Sequence, residues 1–259
     1  MTEDSNEPRR YVPTSLPSPA PSSPSRSSNL PHPRAHALRP GSAKEDAAHR
    51  YVEGRLLHIS RRYTKKFQPS EENELVHGYE SMNEVCKDLG EVVDVLWLSG
   101  TPSLQIPYLL NIALAVTTYI SGFPPAPIPT FSLLRKLDHA FASLLKGQDN
   151  VTGERLPGFE SEKQVMSMTD MVRCKSLVEA TRVQIVNIMS KDAGYQSSRV
   201  QSDTEDETGI ETDQMSIDAQ STLDDDIDKY NMDMAKVYEA TIVQLGELLG
   251  SGAYDATAG

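Results

Sequence analysis

Residues 104–120 read LQIPYLLNIALAVTTYI, seventeen positions without a charge, and the fold turns on what surrounds them. A run of that length sits at the lower limit for a bilayer-spanning helix, roughly 17–25 residues. It carries Pro107, Asn111 and two threonines, and it lacks the basic flanks that orient a spanning segment. The other reading is a helix buried on all sides at the centre of a bundle, and the neighbouring sequence supports it. Thr101-Pro102 supplies a capping oxygen followed by proline at the first helical position, with Pro107 as the alternative start, and Gly122 closes the element.

Working outward, Phe123–Pro129 (FPPAPIP) predicts an extended strap, because proline fixes φ and removes hydrogen-bond donors. Thr130 is read as the cap of the next helix, whose apolar face is Leu133, Leu134, Leu137, Phe141, Leu144 and Leu145, with Gly147 as its stop. On the other side, Leu75, Tyr79, Met82, Val85 (or Cys86), Leu89, Val92 (or Val93) and Leu96 mark a helix opened by Ser70, Glu71 and Glu72. It is either one element or two pieces broken near Gly78, since Ser81-Met82-Asn83-Glu84 is itself a capping box. Trp97, the single tryptophan, precedes the Ser99-Gly100 stop.

The first helix is predicted from about Lys44 to Phe67, with Val52, Leu56, Ile59, Tyr63 and Phe67 at steps of four and three. A fifth runs from near Thr169 to Ser190 and has the cleanest heptad, Met171, Cys174, Val178, Thr181, Ile185 and Ile188. A sixth repeats that pattern with Ile227, Tyr230, Met234, Val237, Thr241, Leu245 and Leu248. The low aromatic content and the Leu, Ile, Val, Ala and Met apolar set favour helix packing over a β-sandwich.

The expected architecture is therefore all-α: one bundle of about six helices. Residues 1–43 form a Pro/Ser-rich disordered tail, 44–190 hold helices one to five, and 191–222 form an acidic disordered loop. Residues 223–250 complete the bundle as the last helix, followed by a tail at 251–259. The two heptad helices are expected to pair as an antiparallel hairpin, with the third helix innermost. A long loop between them adds little closure entropy, which grows only logarithmically with length.

Eleven carboxylates and no Lys or Arg lie between Gln201 and Asp228, so most of the net charge of −12 belongs to that tract rather than to a folded surface. The two cysteines, Cys86 and Cys174, lie on predicted helices and read as buried thiols; neither disulfide framework nor zinc spacing exists. The start of the chain has no apolar signal core, which predicts an intracellular, nuclear or nucleocytoplasmic location.

Chemistry is sparse. Asp224-Asp225-Asp226-Ile227-Asp228 matches the D-D-x-x-D string of helical isoprenoid synthases, but no second metal box accompanies it. Ser143-Leu144-Leu145-Lys146 matches S-x-x-K without companion motifs. No phosphate loop, nucleophile elbow or metalloprotease motif is present. Catalytic residues, metals and cofactors are accordingly expected to be none. What remains is a basic cluster on the first helix, where Arg61, Arg62, Lys65 and Lys66 are candidate contacts for nucleic acid or an import receptor. Ser23 precedes Pro24, and Ser202 and Thr204 precede carboxylates by three positions, which makes all three candidate phosphorylation sites.

The run LWLSGTPSLQIPYLL at 96–110, followed by LRKLDHAF at 134–141, resembles a family of uncharacterised fungal all-helical proteins sometimes automatically labelled "meiotic recombination protein". The resemblance covers about residues 55–190. It implies a helical fold and brings no catalytic or binding residues with it. The label implies a strand-exchange ATPase, from which this sequence departs because the phosphate-binding loop is missing. The expected function is a non-enzymatic interaction or scaffold subunit with protein partners and no membrane. A nucleic-acid-associated accessory factor is the second expectation, and a small helical enzyme the third.

Overall fold

The computed structural model describes residues 29–69, 76–159, 166–202 and 232–255. Six α-helices organise them: α1 (Ala43–Lys65), α2 (Met82–Ser99), α3 (Pro102–Tyr119), α4 (Pro127–Lys146), α5 (Met168–Ser202) and α6 (Glu239–Asp255). A single helical turn at 232–235 precedes α6. No strand occurs among the described residues; Gln148 and Arg155 form one isolated antiparallel bridge.

The capping chemistry sets most boundaries. Ser42 accepts from the Glu45 amide at the start of α1, and Ser81 accepts from the Glu84 amide at the start of α2. α2 therefore opens at Ser81 and residues 76–81 are not helical, while Ser70, Glu71, Glu72 and Leu75, the expected earlier piece, lie outside the described residues. The backbone at Gly78 passes so close to α1 that a Cβ there would lie 2.7 Å from the Lys66 nitrogen. Gly100 and Gly147 end α2 and α4 in the left-handed region, φ 54° and 69°.

Thr101 occupies the N-cap of α3, yet its hydroxyl does not cap that helix. It accepts from the Leu38 amide at 2.9 Å and donates to the Ser99 carbonyl at 2.8 Å. That bond fastens residues 29–42, assigned to the tail on composition, across the α2–α3 corner, where Leu38 joins the core. The proline strap is also shorter than expected. Pro127 and Pro129 lie in the first turn of α4, where a missing N–H leaves nothing unpaired. Thr130 is consequently no cap but a fully buried residue inside α4, its hydroxyl 3.9 Å from Cys86 Sγ.

α2, α3, α5, α6 and α4 form a ring in which each helix touches the next, and α1 lies outside it against α2 and α3. The innermost helix is α4, not α3: no residue from 130 to 145 is exposed. α3 is long and apolar enough to cross a membrane, but it keeps a solvent-facing stripe at Ser103, Pro107, Asn111, Leu114 and Thr118. Four of those five are not large hydrophobics, which suits water better than lipid. The stripe also tolerates Pro107, since a distortion there meets no neighbour.

The last two helices depart furthest from expectation. α5 continues to Ser202. The chain turns at 236–238, where Tyr238 takes φ 56°, and α6 starts at Glu239; residues 223–231, where the expected sixth helix opens, lie outside the described residues. Ile227 and Tyr230 lie outside the described residues. α5 packs chiefly on α3 and α6 chiefly on α4, so the two heptad helices meet each other only lightly.

Candidate protein-docking groove

Two threonines in heptad positions decide how α5 and α6 are held. Thr181 of α5 lies 2.7 Å, hydroxyl to hydroxyl, from Thr117 of α3. Thr241 of α6 donates its hydroxyl to Asp138 Oδ1 of α4 at 2.7 Å, and its amide donates to the same oxygen at 2.8 Å. Asp138 Oδ2 also accepts from the Ala240 amide at 3.3 Å. A carboxylate from another helix thus caps α6, satisfying two of the four amides that a helix N-terminus leaves open. Burial pushes the Asp138 carboxyl above its ordinary value, against the pull of these hydrogen bonds.

The corner before α6 is equally constrained. Tyr238 is fully buried beside Phe141, ring centroids 6.3 Å apart, and its hydroxyl has no hydrogen-bond partner among the described residues. Arg182 of α5 donates to the Val237 carbonyl at 3.2 Å. One end of α6 is therefore pinned to α5, while the rest of the helix leans on α4.

Between α5 and α6 this leaves an open groove of about 580 Å³. Val178 and Val183 form one wall, and Ile242, Leu245 and Leu249 the other. Gly246 and Gly250 lower the α6 side, and Lys175, Glu179 and Arg182 stand along α5. Val183 is 59% exposed, and Val186, one turn further on, 50%. Exposed branched apolar residues beside a concave surface are the usual mark of a protein-docking site.

Two of the four residues in the basic cluster of α1, Arg62 and Lys66, are engaged by neighbouring side chains. Arg62 bonds both Glu84 and Asp88, the latter at 3.1 Å, and its guanidinium lies 4.0 Å from the Tyr79 ring centroid. Its neighbour Arg55 reaches Glu91 at 2.9 Å and Asp88 at 3.4 Å. Lys66 lies over the Phe123 ring at 4.6 Å. Arg61 is exposed and Lys65 half-buried. Ser23 and Thr204 lie outside the described residues, and Ser202 is the last residue of α5.

A second cavity of about 950 Å³ lies under residues 29–35, against Trp97, His139 and Asp149. His139, isolated in the sequence, donates to Asp149 Oδ2 at 2.9 Å with Trp97 edge-on to its ring. Burial would raise the Asp149 carboxyl, but the Thr152 and Val151 amides and His139 together hold it below its ordinary value. These bonds shape the 147–159 loop, as does Ser143, whose hydroxyl accepts from the Asn150 amide at 2.9 Å. Ser143 is thus a loop anchor on the S-x-x-K match. Groups of three or more metal-ligating side chains are absent among the described residues.

Nothing in the hydrophobic pattern flagged the groove, because both helices carry good heptads that suggest mutual closure. The available signals were the threonines within those heptads and the Gly246/Gly250 pair at a four-residue spacing.

The comparisons with known proteins bear on the same region. An uncharacterised protein of Schizosaccharomyces pombe is 28% identical over 146 residues, which is 54% of this chain and 77% of that protein. No solved structure matches. The family model for subunit 11 of the general transcription factor TFIIH (TFB6) matches residues 78–246, from just before α2 into α6, leaving α1 and its cations outside. The chain belongs to that family of TFIIH subunits, whose description names transcription and not recombination.

Proposed function

We propose that this chain is a non-enzymatic helical subunit of a nuclear complex of the TFIIH type, and that it docks on a partner subunit through the α5–α6 groove. The observation that carries the reading is the groove itself: two helices held apart by bonds to α3 and α4, with Val183 and Val186 left in solvent. The family match supports the setting, since subunits of such assemblies act by contact. The same reading assigns the chain protein partners, a nuclear location and no catalytic chemistry. The motif that the recombination label calls for, a phosphate loop, is missing, so that label adds nothing.

Phosphorylation of Ser23, Ser202 and Thr204 belongs to this proposal as a means of deepening the acidic charge near the partner. Nucleic-acid contact through Arg61, Arg62, Lys65 and Lys66 is the lesser reading, because Arg62 is engaged by two carboxylates and Lys66 by an aromatic ring.

The test is co-purification of the tagged full chain with its complex from its own cells. Val183→Asp with Val186→Asp is expected to abolish co-purification at unchanged helicity. Full recovery of the complex with that double variant would remove the groove from the account.

A further inference from the structure

We propose that the groove receives an acidic amphipathic helix from the partner, packed closely over Gly246 and Gly250; this rests on the docking reading above. The charges point that way. Lys175 and Arg182 line the groove against Glu179, the one acid among the lining residues; beyond the lining, exposed Lys236 adjoins the pinned Val237 end, with exposed Glu239 following at the start of α6. Lys175 and Glu179 are 4.0 Å apart with both side chains more than half exposed, a weak pair that leaves the ammonium open to a stronger partner. An incoming helix with carboxylates on its flanks would meet cations at both ends of the groove.

The glycines set how near it comes. Gly246 and Gly250 lie inside α6 without positive φ, and a Cβ built on either meets nothing within 4 Å. Among the described residues neither a turn nor packing accounts for them, and glycine inside a helix is unfavourable relative to alanine. Four residues apart on the groove side, they flatten one turn of the wall so that another helix backbone can approach. Leu249 and Val183 then supply apolar contacts on either side, which matches recognition of a helix by anchors at i, i+3, i+4 and i+7.

The experiment uses the full chain and two synthetic helical peptides. Both carry Leu at i, i+3, i+4 and i+7 with Ala between; one has Glu flanks and its twin has Lys flanks. Fluorescence anisotropy is expected to show the Glu peptide binding about ten-fold tighter than its twin or better, a difference of ~1.4 kcal/mol. Lys175→Glu with Lys236→Glu should reverse the preference, and Gly246→Leu should cut binding by a similar factor. Leucine favours the helix more than glycine does, so that loss cannot be unfolding. Equal binding of the twins, no binding, or indifference to Gly246→Leu would overturn the proposal. So would displacement of the Glu peptide by a peptide of residues 203–231, which would give the groove to the chain's own acidic tract. The docking reading fails separately, through co-purification of the Val183→Asp, Val186→Asp variant.

Discussion

The Asp138 side chain of α4 is the N-terminal cap of α6 at Thr241, across 103 residues of sequence. Helices are normally capped by the residue that precedes them, but here that residue is Tyr238 in the left-handed region, whose buried hydroxyl makes no hydrogen bond to the α6 amides. The cap comes instead from the innermost helix, and it decides that α6 lies on α4 rather than on α5.

Asp138→Ala should therefore act on α6 before the rest of the bundle. Losing a cap costs about 0.5–2 kcal/mol, and leaving buried amides unpaired raises the total to roughly 2–3 kcal/mol. The expected outcome is a lower Tm together with faster hydrogen exchange at Ala240 and Thr241. Thr241→Ser should restore most of the stability that Thr241→Val loses, because the hydroxyl is what reaches Asp138.

The pH dependence separates two carboxylates. Asp149 is held below its ordinary value, so its contribution is present above about pH 3.8 and lost as pH falls through the lowered pKa. Asp138 is raised, so the folded state holds its proton more tightly than the unfolded chain does. Its contribution is greatest below pH 3.8 and declines as pH rises through the raised value. Asp149→Asn should thus cost stability at neutral pH and progressively less in acid, while Asp138→Asn should show the opposite slope. Denaturant titrations between pH 3 and 7 would read both, and parallel curves would sink the assignment.

Arg62 joins α1 to the rest of the fold, with Glu84 and Asp88 on one side and the Tyr79 ring beneath. Its side chain is 19% exposed and Asp88 is 16% exposed, so screening by water is limited. Arg62→Ala should destabilise by roughly 1.5–3 kcal/mol, the range for hydrogen bonds to charged groups. Arg62→Lys should recover only part, because one ammonium cannot span two carboxylates and a ring as the planar fork does. Arg61→Ala, exposed one residue earlier, should leave the Tm nearly unchanged.

Most of the helical content was legible from the sequence, and the reason is local. Ser81, Gly100 and Gly147 act on their own backbone, so their spacing alone places the ends of α2 and α4. What was not legible is which helix faces which. The heptads of α5 and α6 are equally good as partners for each other, for α3 or for α4. The choice lies in hydroxyls: Thr181 finds Thr117 and Thr241 finds Asp138, pairings without any sequence period. The cations of α1 carried the same ambiguity. Arg62 and Arg61 look alike in the sequence, but only the structure brings Glu84 and Asp88 within reach of one of them.

Burial raises the Cys86 thiol to about 11 and Cys174 to about 12, so both stay protonated and shielded at pH 8. Neither should react with a thiol-specific disulfide reagent in the native protein, and both should react at once in denaturant. Reaction of one thiol under native conditions would mean that its helix opens locally, which Asp138→Ala should promote at Cys174, whose thiol feels the Asp138 charge.

Gly246 and Gly250 offer the sharpest separation of stability from function. A Cβ at either meets nothing within 4 Å, so Gly246→Ala and Gly250→Ala should each stabilise α6 by about 0.5–1 kcal/mol. For a chain of this size that raises the Tm by roughly 2–4 °C per kcal/mol. If the glycines exist only through drift, the double variant should be more stable and otherwise unchanged. If they hold space for a partner helix, the same variant should be more stable and yet bind the acidic peptide more weakly. Calorimetry and anisotropy on one preparation would distinguish the two, because no loss of folding can produce a higher Tm with a lower affinity.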